Sequence, residues 1–286
     1  MPELLITRAG PLTTVQDHGR HGTAHLGVPR AGALDQPAYL AANRLVGNAP
    51  GAAVLETTLG GAAVTATGSP LLVAVTGAPA RITVNGQPAA WGAPVFLPAG
   101  ATLNVGPADS GVRSYLAVAG GLVPPPVLGS RSADLLAHLG PPPLRDGDRL
   151  PVGTTHGPPA AELVPLPAMP TELVLRLLPG PRADWLLPGS LVALARARYR
   201  VATASNRIAL RSEGPALIRA RRGELESEGM VLGAVQVPPD GQPVVFLADH
   251  PTTGGYPVIG VVPEADLPAA AQARPGTPVR FIPITG

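Results

Sequence analysis

Cysteine and lysine are both absent from this 286-residue chain, so all 21 of its basic residues are arginine. Without lysine there is no Schiff-base amine, no Walker A phosphate loop and no side chain to carry biotin. Without cysteine there is no thiol nucleophile, disulfide, iron–sulfur ligand or cysteine zinc site, and the redox compartment cannot be read. Aromatic residues make up only 3% of the chain and the net charge is +2, which leaves little to stack bases or neutralise phosphates. Nucleic acid is therefore not expected as a partner. Arginines cluster at Arg196, Arg198 and Arg200 and at Arg219, Arg221 and Arg222, groupings expected on solvated faces or strand edges. No apolar run reaches membrane-spanning length, and the start, with Glu3, lacks a long apolar core. A cytoplasmic protein with no membrane contact is the expectation.

What is present is apolar sequence cut by turns. Hydrophobic residues make up 45% of the chain and charged ones 14%, with 35 glycines and 37 prolines placed between alternating runs. Such punctuation predicts a mainly β protein. Arg81-Ile82-Thr83-Val84 before Asn85-Gly86 predicts a hairpin, and so do 234–237 and 243–247 around Pro238-Pro239-Asp240-Gly241. Further strands are expected at 3–7, 53–58, 71–75, 94–97, 101–105, 113–118, 173–178 and 278–282. Helices are few: one capped by Asp35, one over 191–198 and one over 264–273. Barrel-like packing fits this pattern better than a doubly wound sheet. Turn-rich sequence between Leu150 and Pro170 predicts two β-rich halves, 1–160 and 161–286.

Two polar segments interrupt the strands: Thr13-Thr14-Val15-Gln16-Asp17-His18-Gly19-Arg20, and Asp249-His250-Pro251-Thr252-Thr253-Gly254-Gly255-Tyr256. Their amides, carboxylates and hydroxyls have no evident packing use there and mark candidate sites. Gln16, Asp17 and Arg20 admit two readings. The aspartate orients a water or substrate amide while the arginine binds a carboxylate bidentately, or the two pair to pin a turn. Thr252 and Thr253 beside the N–H groups of Gly254 and Gly255, with Tyr256, suit a developing oxyanion; a β-bulge or hairpin loop is the bland alternative. Glu56 and Glu213 stand in apolar sequence, each either paired to an arginine or an acid/base candidate. His18, His21 and His25 have metal-like spacing, but the glycines among them argue against a helix and no acid completes a zinc pattern, so no metal is expected. Ser190 and Ser205 lack the nucleophile-elbow context of a serine triad.

The first segment, together with Gly27-Val28-Pro29, Gly32-Ala33-Leu34-Asp35, Ala42-Asn43-Arg44-Leu45-Val46-Gly47-Asn48 and Leu55-Glu56-Thr57-Thr58, resembles the biotin-dependent carboxyltransferase/allophanate hydrolase subunit 2 family. The resemblance continues through Gly129-Ser130-Arg131-Ser132, Ser205-Asn206-Arg207, Glu213-Gly214-Pro215, Ser227-Glu228-Gly229, Gly233-Ala234-Val235-Gln236-Val237-Pro238 and Thr252 to Tyr256. It covers nearly the whole chain in order.

The resemblance implies a cyclophilin-like β-barrel architecture. It also implies work with a B-type subunit homologue, separate or fused, and with a third lactam-utilisation subunit. In the 5-oxoprolinase branch such a complex couples ATP hydrolysis to opening of the 5-oxoproline lactam to glutamate. With no phosphate loop in this chain, ATP is expected on a partner, and no cofactor is assigned to the chain itself. Asp17, Arg20, Glu56, Thr252 and Thr253 become candidates for chemistry. Gln16, Asn43, Arg207, Glu213, Gln236, Gly254, Gly255 and Tyr256 become candidates for binding a small-molecule substrate, with Arg20 or Arg207 for its carboxylate. The alternatives are the carboxyltransferase half of a urea-type biotin-dependent carboxylase and a non-catalytic antagonist that binds the B-type partner. The chain departs from the family pattern at Asn206, where an aspartate is usual, over Ile208 to Ser212, and at His250-Pro251, where Arg-Gln is usual.

Overall fold

The computed structural model describes every residue except Met1, His156, Met169, Arg222, Glu224, Thr285 and Gly286. Of the clustered arginines, Arg222 thus lies outside the described residues. The chain divides into two compact units. The first comprises Met1–Arg20, Ala31–Asp134 and His138–Met169; the second comprises His21–Arg30, Leu135–Ala137 and Pro170–Gly286. Two short excursions thus leave the first half of the sequence to join the second unit, a non-local exchange with no sequence signal.

The first unit holds β1 (Glu3–Arg8), β2 (Thr13–Gln16), helix α1 (Gln36–Leu45), β3 (Val54–Thr58), β4 (Ala63–Thr67) and β5 (Leu71–Gly77). It continues with β6 (Ala80–Val84), β7 (Gln87–Ala89), β8 (Val95–Leu97), β9 (Thr102–Ala108), β10 (Arg113–Val118) and β11 (Arg149–Pro151). These form a six-stranded sheet, β11-β1-β4-β9-β6-β7, and a five-stranded sheet, β2-β3-β10-β5-β8. Alternate residues of both sheets, including Leu4, Ile6, Val64, Leu103 and Val105 from one and Val15, Leu55, Val73, Val75 and Leu116 from the other, build a common core. The five-stranded sheet is covered again on its far face by Tyr39, Ala42 and Leu45 of α1, which meet Val54, Ala74, Tyr115 and Ala117. Burial on both faces explains why β3 and β10 show almost no polar–apolar alternation. Asp35 caps α1 as its sequence predicts, its Oδ1 accepting from the Ala38 N–H at 3.1 Å. Gly77 ends β5 at φ +84°, and a Cβ there would lie 2.4 Å from the Arg113 carbonyl oxygen, so only glycine fits.

The second unit holds β12 (Leu173–Pro179), α2 (Ser190–Arg196), β13 (Tyr199–Val201), β14 (Ala209–Glu213), β15 (Glu228–Gly229) and β16 (Ala234–Gln236). After these come β17 (Val244–Phe246), β18 (Thr253–Gly254), β19 (Val258–Val261), α3 (Leu267–Gln272) and β20 (Pro278–Pro283). Seven strands close into a barrel in the order β12-β19-β16-β17-β14-β13-β20, and β15 pairs with β18 alone. Closure removes the exposed edges that an open sheet would leave. The mainly β, barrel-containing architecture agrees with the sequence reading. Both expected hairpins form, with Val84 opposite Gln87 and Val235 opposite Val245. Among the described residues no helix is long and apolar enough to cross a membrane. Arg219 and Arg221 lie over the Trp185 ring at 5.5 and 5.8 Å, and Arg221 pairs with Asp184, so this arginine group covers an aromatic.

Candidate functional site

The N-terminal polar segment turns inward. Asp17 is buried and its carboxylate accepts four hydrogen bonds: from Ser130 Oγ and Ser132 Oγ, both 2.6 Å, from the Gly19 N–H at 2.8 Å and from the Arg131 N–H at 2.6 Å. The Asp17 N–H in turn donates to Ser132 Oγ. The pairing of Asp17 with Arg20 considered from spacing is thus replaced by a Ser130–Ser132 cradle. An acceptor-only carboxylate has taken hydroxyl and peptide donors. The donor-only guanidinium of Arg20, 1% exposed, has taken carbonyls, Val127 O at 3.1 Å and Ser132 O at 2.6 Å. Gln16 is fully buried and donates to Thr14 Oγ1 and to the Ala133 carbonyl. All three side chains therefore fasten the 127–133 loop to the end of β2. A ligand role for Arg20 would need an accessible guanidinium, and this one is buried.

Glu56 sits in a second buried network. The registers place Thr14 opposite Glu56, Glu56 opposite Tyr115 and Tyr115 opposite Thr76, a polar row across four strands on the face that α1 covers. Glu56 Oε2 accepts from the Leu34 N–H and from Tyr115 Oη, both 2.9 Å, while Oε1 lies 3.7 Å from Arg113 Nε. The arginine-paired alternative for Glu56 is the one the structure contains. Tyr115 accepts from the Asp35 N–H and Thr76 donates to the Ala38 carbonyl, so the row holds the start of α1. Burial, then the charges of Glu56 and Asp35, push the Tyr115 hydroxyl well above the ordinary tyrosine range. Tyr39 is raised too, first by burial and then by the Asp17 charge. Asn43 belongs to the other end of α1: its Nδ2 donates to the Ala52 carbonyl and its Oδ1 accepts from Asn48.

In the second unit Arg207 is sequestered. Its fork donates to Asp249 through Nε–Oδ2 at 2.9 Å and Nη2–Oδ1 at 2.8 Å, with both side chains essentially inaccessible. A guanidinium used bidentately on a buried carboxylate is poorly placed to bind a substrate's carboxylate. Glu213 differs from expectation: it is not in apolar surroundings but exposed at the end of β14, opposite Arg200. The sequence pattern misleads there because its strand alternates and Glu213 points outward. Asn206 Oδ1 accepts from the Ile208 and Ala209 N–H groups, a turn contact that an aspartate oxygen also makes. His250 is buried, and its Nδ1 donates to the Pro251 carbonyl at 2.7 Å.

The Thr252–Tyr256 loop is the segment that stays accessible. Thr253 and Tyr256 are exposed, and Thr252, Gly254 and Gly255 are partly so. β18 pairs Thr253 with Gly229 and Gly254 with Glu228, and the Met230 N–H donates to the Thr252 carbonyl. Glu228 is clamped by Arg182, whose Nε reaches Oε1 and Oε2 at 2.8 and 3.1 Å. Hydrogen bonding to Arg182 holds the Glu228 carboxyl below the ordinary glutamate range. Beneath the loop, Gln236 donates to the Tyr256 carbonyl at 3.0 Å. The loop thus presents hydroxyls and peptide groups on a pinned backbone, while the N-terminal polar residues are consumed in packing. The sequence does not single out Ser130, Ser132, Asp249 and Arg182 as partners. The only signal is the alternation of Ser130 and Ser132 in the Gly129-Ser130-Arg131-Ser132 motif. Among the described residues no group of three histidines or carboxylates converges to hold a metal ion.

Residues 26–283 match the model of the carboxyltransferase domain, subdomain A and B. The chain belongs to this family. It is 41% identical to the 5-oxoprolinase C subunit of Escherichia coli over 98% of its own length and 90% of that protein. In structure it is similar to TTHA0988, with TM-score 0.89 and 39% identity, covering 98% of this chain and 56% of that one. It is also similar to the Kluyveromyces lactis urea amidolyase, with TM-score 0.91 and 29% identity, spanning 99% of this chain but 19% of that one. The carboxyltransferase-domain fold is therefore found in relatives of nearly this length and as a small part of much longer chains.

Proposed function

We propose that this chain is the C-type component of an ATP-dependent complex that opens the 5-oxoproline lactam to glutamate. The observation that carries the reading is the 41% identity to the E. coli 5-oxoprolinase C subunit, which extends over 90% of that protein's length. The match extends over 90% of that subunit but over only 19% of the urea amidolyase, which favours the subunit reading. The absence of lysine supports ATP binding on a partner. The proposed partners are a B-type subunit homologue and a third subunit, in the cytoplasm, and longer relatives such as TTHA0988 suit a fused arrangement. Within this chain the accessible Thr252–Tyr256 loop is the proposed substrate-facing element. Thr253 and the Gly255 peptide stabilise negative charge on the activated carbonyl, while Gly254 is held in the ladder with Glu228. The test is reconstitution with the candidate subunits and assay for ATP-dependent glutamate release from 5-oxoproline. No release from an assembled complex refutes the reading.

A second reading is favoured by the similarity to the K. lactis urea amidolyase: carboxyl transfer from a biotin carrier on another chain to a substrate nitrogen. It predicts that a carboxylated biotin carrier loses its carboxyl group to urea in the presence of the complex, with no glutamate formed from 5-oxoproline.

A further inference from the structure

Gln236 is a buried carboxamide with one half committed and the other open. It is 4% exposed, and its Nε2 donates to the Tyr256 carbonyl. Its Oε1 accepts no hydrogen bond from any described residue. It is not one of the sealed, partnerless polar atoms among the described residues, so this oxygen keeps access to solvent and to a ligand although the side chain as a whole is buried.

The surroundings fix which way the carboxamide faces. A Cβ built on Gly254 would lie 2.6 Å from Gln236 Nε2, 3.5 Å from its Cδ and 3.3 Å from the Met230 methyl, so the loop backbone presses directly on the amide. Gly254 is held there by its pairing with Glu228, and the loop's exit is held by the Val237 N–H on the Pro257 carbonyl. The strand beneath is also adjusted at this point. β16 and β19 lose register between Val235 and Gln236, the former opposite Gly260 and the latter opposite Val258. An irregularity of this kind re-aims one side chain out of the ladder's alternation.

A carboxamide whose N–H₂ end is bound to a carbonyl presents a pure acceptor at its other end. An acceptor left open beside the accessible loop repels carboxylate and carbonyl oxygens and selects a donor. From this geometry we infer that Gln236 reads the amide N–H of the substrate through Oε1, with Tyr256 and Gly254 locking the carboxamide in the accepting orientation. This rests on the lactam-opening reading, and it makes Gln236 the residue that distinguishes a secondary lactam from one substituted on nitrogen.

The experiment compares 5-oxoproline with its N-methyl analogue in the reconstituted complex, following glutamate or N-methylglutamate release. The wild-type complex is expected to disfavour the N-methyl ring by about 100-fold or more in kcat/KM, because a site built around a hydrogen bond rejects the analogue that lacks it. In Gln236→Met, similar in length but with no amide acceptor, KM for 5-oxoproline should rise about 10-fold and the discrimination should fall to within about 3-fold. Gly254→Ala, which retains the Gln236 side chain but pushes its carboxamide aside, should erode the same discrimination. Equal use of the two rings by the wild-type complex, or full discrimination retained by Gln236→Met, overturns the inference while leaving lactam opening intact. Failure of the wild-type complex to open 5-oxoproline overturns the functional reading and this inference with it.

Discussion

Arg207 and Asp249 form a fork-to-fork pair with no access to solvent, 1% and 0% exposed, closed by two hydrogen bonds of 2.9 and 2.8 Å. Asp249 also accepts from the Leu135 N–H, so the pair fixes part of the 135–137 excursion within its unit. Removing one member leaves the other charge buried, which costs about 3–5 kcal/mol. Arg207→Met and Asp249→Leu should each lower stability by that amount in urea titrations, and the double variant should recover much of the loss. Equal, additive losses would show that the two side chains act independently.

Asp17 and Arg20 make the same kind of prediction for the first unit. Asp17→Ala strands two hydroxyls and two N–H groups, and should cost about 3 kcal/mol or more. Arg20→Ala strands the Ser132 carbonyl and leaves the Val127 carbonyl with only the Ser130 N–H, and should cost about 2–4 kcal/mol. Below its lowered melting temperature, the Arg20 variant should retain nearly normal turnover in the assembled complex. A collapse of kcat/KM with unchanged melting temperature would return Arg20 to the substrate.

Thr253 is the reverse case. Its side chain is exposed and the loop is pinned by backbone contacts, so Thr253→Val should leave the melting temperature unchanged. If its hydroxyl stabilises developing charge, kcat falls by up to about 100-fold while KM changes little. A steady-state profile on the reconstituted complex separates this from a purely structural loop.

The Arg182–Glu228 pair makes the loop's support dependent on pH. Glu228 is depressed by hydrogen bonding to Arg182, so its contribution is fully present above the ordinary glutamate range and is lost as pH falls through the lowered value. Backbone chemical shifts of Thr253 and Gly254 should therefore hold steady through neutral pH and move only below the ordinary glutamate range. Arg182→Ala should show the moved shifts already at neutral pH. The pair is partly exposed, so high salt should weaken it in the same direction.

Much of the fold was legible because strands and turns are encoded locally. Asn85-Gly86 announces a hairpin wherever it stands, Asp35 caps α1 within three residues, and β10 occupies the span 113–118 that its apolar run predicts. α2 begins one residue early and ends two early, and the third predicted helix opens as a 3₁₀ turn over Glu264–Asp266, shifts of the size that fraying ends allow.

The site was legible only as residue types. Sequence alone determined that Asp17, Arg20, Glu56 and Arg207 need strong partners, and that a chain without lysine or cysteine excludes whole classes of chemistry. Which partners they take depends on contacts more than a hundred residues away for Asp17 and on strand register for Glu56. Only the tertiary structure decided that four strong polar groups are spent on packing, while the Thr252–Tyr256 loop and the open face of Gln236 stay available. The physical reason is burial: a charge inside the fold must first satisfy itself, so the groups left for function are those that packing did not consume.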